Sequence, residues 1–289
     1  MSTTVLKLFA LITMLIDHIG FFIPNMPEWL RYIGRLSAPI FLFCAVIGYS
    51  NTSNKKKYLF RIYAFSVFMG IIDAIILQNI NYIRTIFITL LILFLIDCFQ
   101  SQNKYAKKYL CIFLLWQVVV NTLYIMCIIN MPDKFTVIIL PLFVISAYMN
   151  YGILFVVLGV CMYLFLHSYK KFSISYILIT FTILIFQNTN LLYRIGNKIT
   201  YIAITSKNNL LMHLKEIFEF FCSAFLDIEI RFLKNDLWYT TQWLMIFSLP
   251  LLLLYNGKKG KGLKYLFYIM YPFNIIVFYY IGVSMGNVL

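Results

Sequence analysis

LKLFALITMLIDHIGFF (residues 6–22) carries three polar residues, Lys7, Asp17 and His18, in an otherwise apolar helical run. With its flanking positions the run spans 5–23, close to the ~20 residues a helix needs to cross the hydrocarbon core of a bilayer. It could pass for a secretory signal. No small-residue cleavage site precedes Pro24, however, and further apolar runs follow at once, so it reads as a first transmembrane helix that stays in place. Comparable runs lie at about 36–50, 59–78, 84–99, 109–129, 135–149, 151–167, 172–189, 238–255 and 265–285. An eleventh, about 210–232, mixes Lys215, Glu216, Glu219, Asp227 and Glu229 with Phe218, Phe220, Phe221 and Phe225, as an interfacial helix or a span facing a polar interior would. The composition agrees: 62% of residues are hydrophobic and 12% charged, at a mean hydropathy of +0.86. A soluble domain carries roughly a quarter charged residues, so a sizeable extramembrane catalytic domain is excluded. The expected fold is all-α, a polytopic integral membrane helical bundle of ten or eleven spans. No internal repeat, linker or composition shift divides it, and a single domain over 1–289 is expected.

Lys and Arg number 24 against 10 Asp and Glu, a net charge of +14. In a soluble chain that surplus would suggest nucleic acid; here it is read through the connections between spans, and no nucleic-acid partner is expected. Basic clusters at 54–61 (Lys55, Lys56, Lys57, Arg61), 104–108 and 258–264 belong on the cytoplasmic side. An even number of crossings must separate the last two clusters. Five runs lie between them, so 210–232 is required as a sixth, which gives eleven spans with a cytoplasmic N-terminus in the plasma membrane. Lys170 and Lys171 then fall outside; a broken pair at 135–167 that crosses once would return them inside with nine crossings. Six cysteines stand singly in apolar runs without a CxxC pair, so neither a disulfide framework nor a metal site is expected.

Charges inside spans cost a few kcal/mol each and are functional candidates by default. Lys7 and His18 are eleven residues apart, roughly three turns, so Lys7, Met14 and His18 share a stripe ~16 Å long. Histidine is the side chain best able to exchange a proton near neutral pH, and Asp17 beside it can orient or polarise it. In RYIGRLSAPIFLF (31–43), Arg35 reaches about the depth of Asp17 and His18, either as the salt-bridge partner of Asp17 or as an anion or carbonyl clamp beside His18. Asp73 lies within a run without an evident role. Lys55, Lys56, Lys57 and Arg61 suit membrane anchoring or a phosphorylated donor, and Asn256-Gly257-Lys258-Lys259-Gly260 is a glycine-rich basic turn of the kind that accommodates phosphate or simply closes a hairpin.

Taken in order, Leu6-Lys7 leading to Met14 and Asp17-His18, Arg31 with Gly34 to Phe41, Tyr58 and Arg61, Gln242, Asn256 to Gly260, and Lys264 to Pro272 resemble the TraX family of membrane proteins. The family's namesake acetylates the amino terminus of conjugative pilin. The resemblance runs end to end and is densest at 5–63 and 240–275. It implies membership of a transmembrane acyltransferase superfamily shared with the acyltransferase-3 proteins, in which an Arg and a His eleven residues apart on the first helix serve catalysis; Lys7 and His18 resemble that pair, with Lys for Arg. TraX-like sequences tend to carry a histidine after the Tyr-Pro dipeptide of the last helix, where this chain has Asn274. Asn274 can hydrogen-bond but cannot act as a base.

Together the residues and the resemblance imply an integral membrane acyltransferase that moves an acetyl or other acyl group from cytoplasmic acyl-CoA to an amine or hydroxyl of an exported acceptor such as pilin or a glycan. His18 would be base or transient acyl carrier, with Asp17 and Arg35 supporting it. Lys7, Lys57, Arg61, Lys258 and Lys259 would hold the coenzyme A phosphates, and Asn274, Tyr271 and Gln242 the acceptor. Acetyl-CoA is a co-substrate, and no tightly bound cofactor is expected. Two other classes use the same residues: a proton-coupled transporter with Asp17, His18 and Arg35 as a relay, and a non-catalytic secretion accessory in which they pin helices together.

Overall fold

The computed structural model of the protein describes residues 1–76, 78, 80–130, 151–206, 208–228, 230–232 and 240–286. The described residues form helices and connections. They comprise α1 (Thr3–Phe22), α2 (Trp29–Gly34), α3 (Ser37–Ser50), α4 (Lys55–Ile76), α5 (Tyr82–Gln100) and α6 (Ala106–Asn130). There follow α7 (Gly152–Leu164), α8 (Tyr169–Asn188), α9 (Leu191–Thr205), α10 (Asn209–Leu226), a 3-10 turn (Gln242–Ser248) continued by α11 (Leu249–Leu253), and α12 (Lys264–Ser284). Seven segments are long and apolar enough to cross a membrane: α1, α2 with α3, α4, α5, α6, α8 and α12. Gly152–Leu164 and Gln242–Leu253 are shorter apolar helices. The lipid-facing sides remain apolar, with Phe60 and Ile75 each about two-thirds exposed. That is the surface of a protein solvated by hydrocarbon, not by water.

Two ends can be distinguished by contact. At the basic end, the N–H groups of Thr3 and Thr4 donate to the carbonyls of Lys258 (2.9 Å) and Lys259 (3.1 Å), so the turn 256–260 caps the start of α1. Asp97, near the end of α5, accepts from Tyr49 (2.6 Å) and Tyr163 (2.5 Å) and pairs with Lys55, tying α3, α4, α5 and α7 together there. Phe172 at the start of α8 meets Phe43, which meets Tyr255. At the opposite end lie Phe22, Trp29, Tyr151, Asn188 and the hairpin of α9 and α10. Asn188 bonds Thr240, and Phe22 meets Gly282.

The ends correct the expected topology. α7 runs from Tyr151 at the opposite end to Tyr163 at the basic end, so Lys170 and Lys171, at the start of α8, stand at the same end as the other lysines, as in the nine-crossing alternative. The run 210–232 is not among the segments of the described residues that are long and apolar enough to span. Its helix ends at Leu226 and packs against α9 through Leu192, Cys222 and Leu226, while its exposed face carries the pairs His213–Glu216 and Lys215–Glu219 (3.2 Å each), which are too costly for a lipid core. α9 itself lies in the stretch that reads from sequence as a plain connection. The run 135–149 falls outside the described residues. Seven long segments with two shorter ones therefore stand where ten or eleven spans were expected.

The core is divided. One cluster gathers α3, α5, α7, α8 and the 3-10 turn around Leu42, Leu90, Phe155 and Tyr176; another gathers α1, α4 and α12 around Met14, Met69 and Ile275. A cavity lined by residues of both opens between the two.

Candidate functional site

α1, α2 and α12 assemble the polar centre. The Nδ1 of His18 lies 3.1 Å from the Oδ1 of Asn274, so Asn274 on α12 faces the α1 histidine directly. With an amide oxygen as its acceptor, Nδ1 carries the hydrogen and Nε2 keeps the lone pair. Pro272, two residues earlier on α12, withholds an N–H from the helix where Asn274 turns inward. Asn274 is 2% exposed, and its Nδ2 has no hydrogen-bond partner among the described residues.

Asp17 is held by Arg31, not Arg35. Arg31 Nη1 lies 2.9 Å from Asp17 Oδ2 and donates to the Asp17 carbonyl (3.2 Å), while its guanidinium sits over Phe21. The cause is local. The helix breaks between α2 and α3 at Arg35 and Leu36, which turns Arg35 away from α1, and Gly34 lets α2 close on Asp17: a Cβ there would stand 2.2 Å from Asp17 Oδ1. Arg35 instead donates through Nε to Thr241 Oγ1 (3.1 Å) and through Nη1 to Gln242 Oε1 (3.4 Å). Gln242 is thereby a partner of Arg35 and also donates to Met245 Sδ. The second oxygen of Asp17, Oδ1, is buried without a partner among the described residues.

A cavity of about 730 Å³ opens at the basic end, and Lys7, Arg61 and Lys259 line it with no carboxylate among the described residues of its wall. Lys7 sits over Phe267 (5.5 Å) and Arg61 over Tyr58 (5.2 Å), and Arg61 Nε is buried without a partner among the described residues. The interior is apolar and aromatic and reaches Met14 and Tyr271. Met14 is one turn before His18, and Tyr271 one turn before Asn274. Of the five phosphate candidates, Lys7, Arg61 and Lys259 thus meet in one cavity. Lys57 and Lys258 do not line it: Lys57 is exposed in the first turn of α4, and Lys258 supplies a carbonyl to Thr3. Tyr271 lines the cavity while its hydroxyl donates to the Ile80 carbonyl (2.9 Å) and accepts from the Tyr82 N–H (3.3 Å), bracing the α4–α5 connection. Asp73 is accounted for there as well: it accepts from the Ile80 N–H and pairs with buried Arg84 (3.9 Å).

A second cavity, of about 460 Å³, lies at the opposite end and is lined by Arg31, Arg35, Glu28, Asp227, Tyr151 and Gln242, among others. Asp227 caps α10 in a left-handed conformation and accepts from the Tyr151 N–H (3.0 Å). Burial pushes its carboxyl above the usual range, against the pull of that N–H. Thr241, Asp227 and Tyr151 escaped the sequence reading because only the fold brings 151, 227 and 241 to Arg35. Cys44, beside Lys7 in the first cavity, lay in an apolar run without a polar neighbour to mark it.

One cavity at each end of a helical bundle, with a buried imidazole–amide pair on α1 and α12 one turn beyond Met14 and Tyr271 of the first, describes a membrane protein with a polar centre. The chain matches the TraX protein family over residues 2–282 and belongs to that family. Over 66 residues it is 36% identical to the probable fimbrial assembly protein FimC, serogroup H1, of Dichelobacter nodosus, a match covering 22% of this chain and 27% of that protein's length. No solved structure matches.

Proposed function

We propose that the chain is an integral membrane acyltransferase, taking an acyl group from acyl-CoA at the basic end and passing it to an amine or hydroxyl presented at the opposite end. The observation that carries this is the first cavity: three cations and no carboxylate among the described residues of its wall, an aromatic and apolar interior, and a deep end one turn from His18 and Asn274. Phosphates of coenzyme A fit the cations and the uncharged pantetheine arm fits the interior.

In this reading the acceptor's nucleophilic atom attacks the thioester carbonyl carbon, and His18 Nε2 takes its proton. The C–S bond breaks, coenzyme A leaves as thiolate, and the proton is returned to its sulfur. Asn274 holds the imidazole in the tautomer that frees Nε2, and Arg31 holds the adjacent Asp17 in place. A transient acyl group on Nε2 fits the same geometry. Membership of the TraX family and the fimbrial relative support pilin, or another exported protein or glycan, as acceptor. The positive-inside rule puts the basic end, and the chain's N-terminus with it, in the cytoplasm of the cell membrane; the seven long and two shorter segments would make nine crossings.

Two cavities facing opposite ends would also suit the transporter, with Asp17 and His18 as its relay. Purified protein in detergent separates the two. The acyltransferase consumes acetyl-CoA there when supplied with acceptor-containing extract, whereas a transporter requires a sealed vesicle and leaves the thioester intact.

A further inference from the structure

We propose that the second cavity binds a zwitterionic group, an amine and an anion on the same molecule, and that it is where the acceptor enters. Its wall is charged in both senses. Arg31 is already neutralised by Asp17 at 2.9 Å. Arg35 is not: among the described residues its bonds go to the neutral oxygens of Thr241 and Gln242, and it forms no ion pair. Those two bonds use Nε and one hydrogen of Nη1. The outer edge of the guanidinium, Nη1 with Nη2, is left free to grip a carboxylate or phosphate in bidentate fashion, pre-oriented by its partners.

Glu28 and Asp227 line the same cavity. Glu28 accepts from the Tyr32 hydroxyl (3.3 Å) and Asp227 from the Tyr151 N–H, and neither is within ion-pair distance of a described cation. With Arg31 cancelled by Asp17, one unpaired cation and two unpaired carboxylates remain among the described residues of the wall. A simple anion would meet the carboxylates and a simple amine would meet Arg35; a molecule bearing both charges satisfies each side. The acceptor role rests on the acyl-transfer reading, while the binding of the zwitterion does not.

The test uses the whole chain in detergent and reads ligand binding by thermal stabilisation. β-Alanine and O-phosphoethanolamine are the zwitterionic probes, one offering carboxylate and the other phosphate; propionate and propylamine carry the single charges. Coenzyme A serves as the probe of the first cavity. Saturable stabilisation by either zwitterion, at concentrations at least tenfold below those needed for propionate or propylamine, supports the proposal, and the stronger of the two names the anion. Arg35→Gln should weaken zwitterion binding at least tenfold, with Arg35→Lys in between, and both should leave the coenzyme A response as in wild type. Equal responses to charged and zwitterionic probes, no response to either zwitterion, or wild-type zwitterion binding in Arg35→Gln would overturn it. If zwitterions bind and coenzyme A does not, the binding site stands and the acyl-transfer reading falls.

Discussion

An imidazole that donates through Nδ1 has one lone pair left, and its usefulness depends on what keeps the ring in that tautomer. In this protein that task falls to Asn274 Oδ1. Replacing it with alanine leaves the ring unanchored and should raise the barrier by about 1 to 3 kcal/mol, read as a fall in kcat/KM. Asn274→His, which keeps a hydrogen-bonding group facing His18, should keep activity near wild type. An Asn274→Ala enzyme with unchanged kinetics would mean that the amide only packs. The sequence singled out both residues, His18 on the polar stripe with Lys7 and Met14 and Asn274 after Tyr271-Pro272, but gave Asn274 to the acceptor and did not foresee its bond to His18. The Arg31–Asp17 pair was not legible either: Arg31 and Arg35 are four residues apart and would share a face of an unbroken helix, and only the break at Arg35 and Leu36 sends them to different partners.

Among the elements, the turn 256–260 does two things at once. Its backbone carbonyls cap α1, and Lys259 joins Lys7 and Arg61 in the cavity wall. Gly260 makes this possible, since it has a positive φ of 77° and lies where a Cβ would be 2.6 Å from the Ser2 hydroxyl. The donor reading therefore separates lysines that look alike in sequence. Lys259→Glu should raise the KM for acyl-CoA at least tenfold without moving the KM for the acceptor, while Lys57→Glu, on an exposed turn, should leave both within twofold; equal effects would remove the cavity from the donor account.

The same scale settles sidedness. Cysteines placed at 170 and at 258 should be labelled from the same side of intact cells or oriented vesicles, because α7 crosses once and α10 does not. Labelling from opposite sides would restore the eleven-span arrangement. The sequence held this arrangement as its nine-crossing alternative; the eleven-span count treats every apolar run as a crossing, whereas amphipathic α9 and α10 bury their apolar faces against one another and α7 at one end of the bundle.

At the scale of the molecule, two hydrophobic clusters hold a basic cavity between them, and α1 carries the connection from Lys7 in its wall, past Met14 at its deep end, to His18 and then to Asp17, whose partner Arg31 lines the cavity beyond. Composition was enough to predict the helical membrane bundle, since an apolar run has few other fates. The cavities were not legible, because they are made by residues from helices distant in sequence whose apolar walls look like any other core. The central claim is that His18 performs the proton chemistry of a transfer whose donor lies in the basic cavity, and it is tested most directly by following free coenzyme A thiol released from acetyl-CoA by purified wild type and His18→Ala in the presence of an acceptor-containing extract. The account predicts that His18→Ala binds coenzyme A with wild-type affinity and releases thiol at least ~100-fold more slowly. Equal thiol release by the two proteins, or none by wild type, would contradict it.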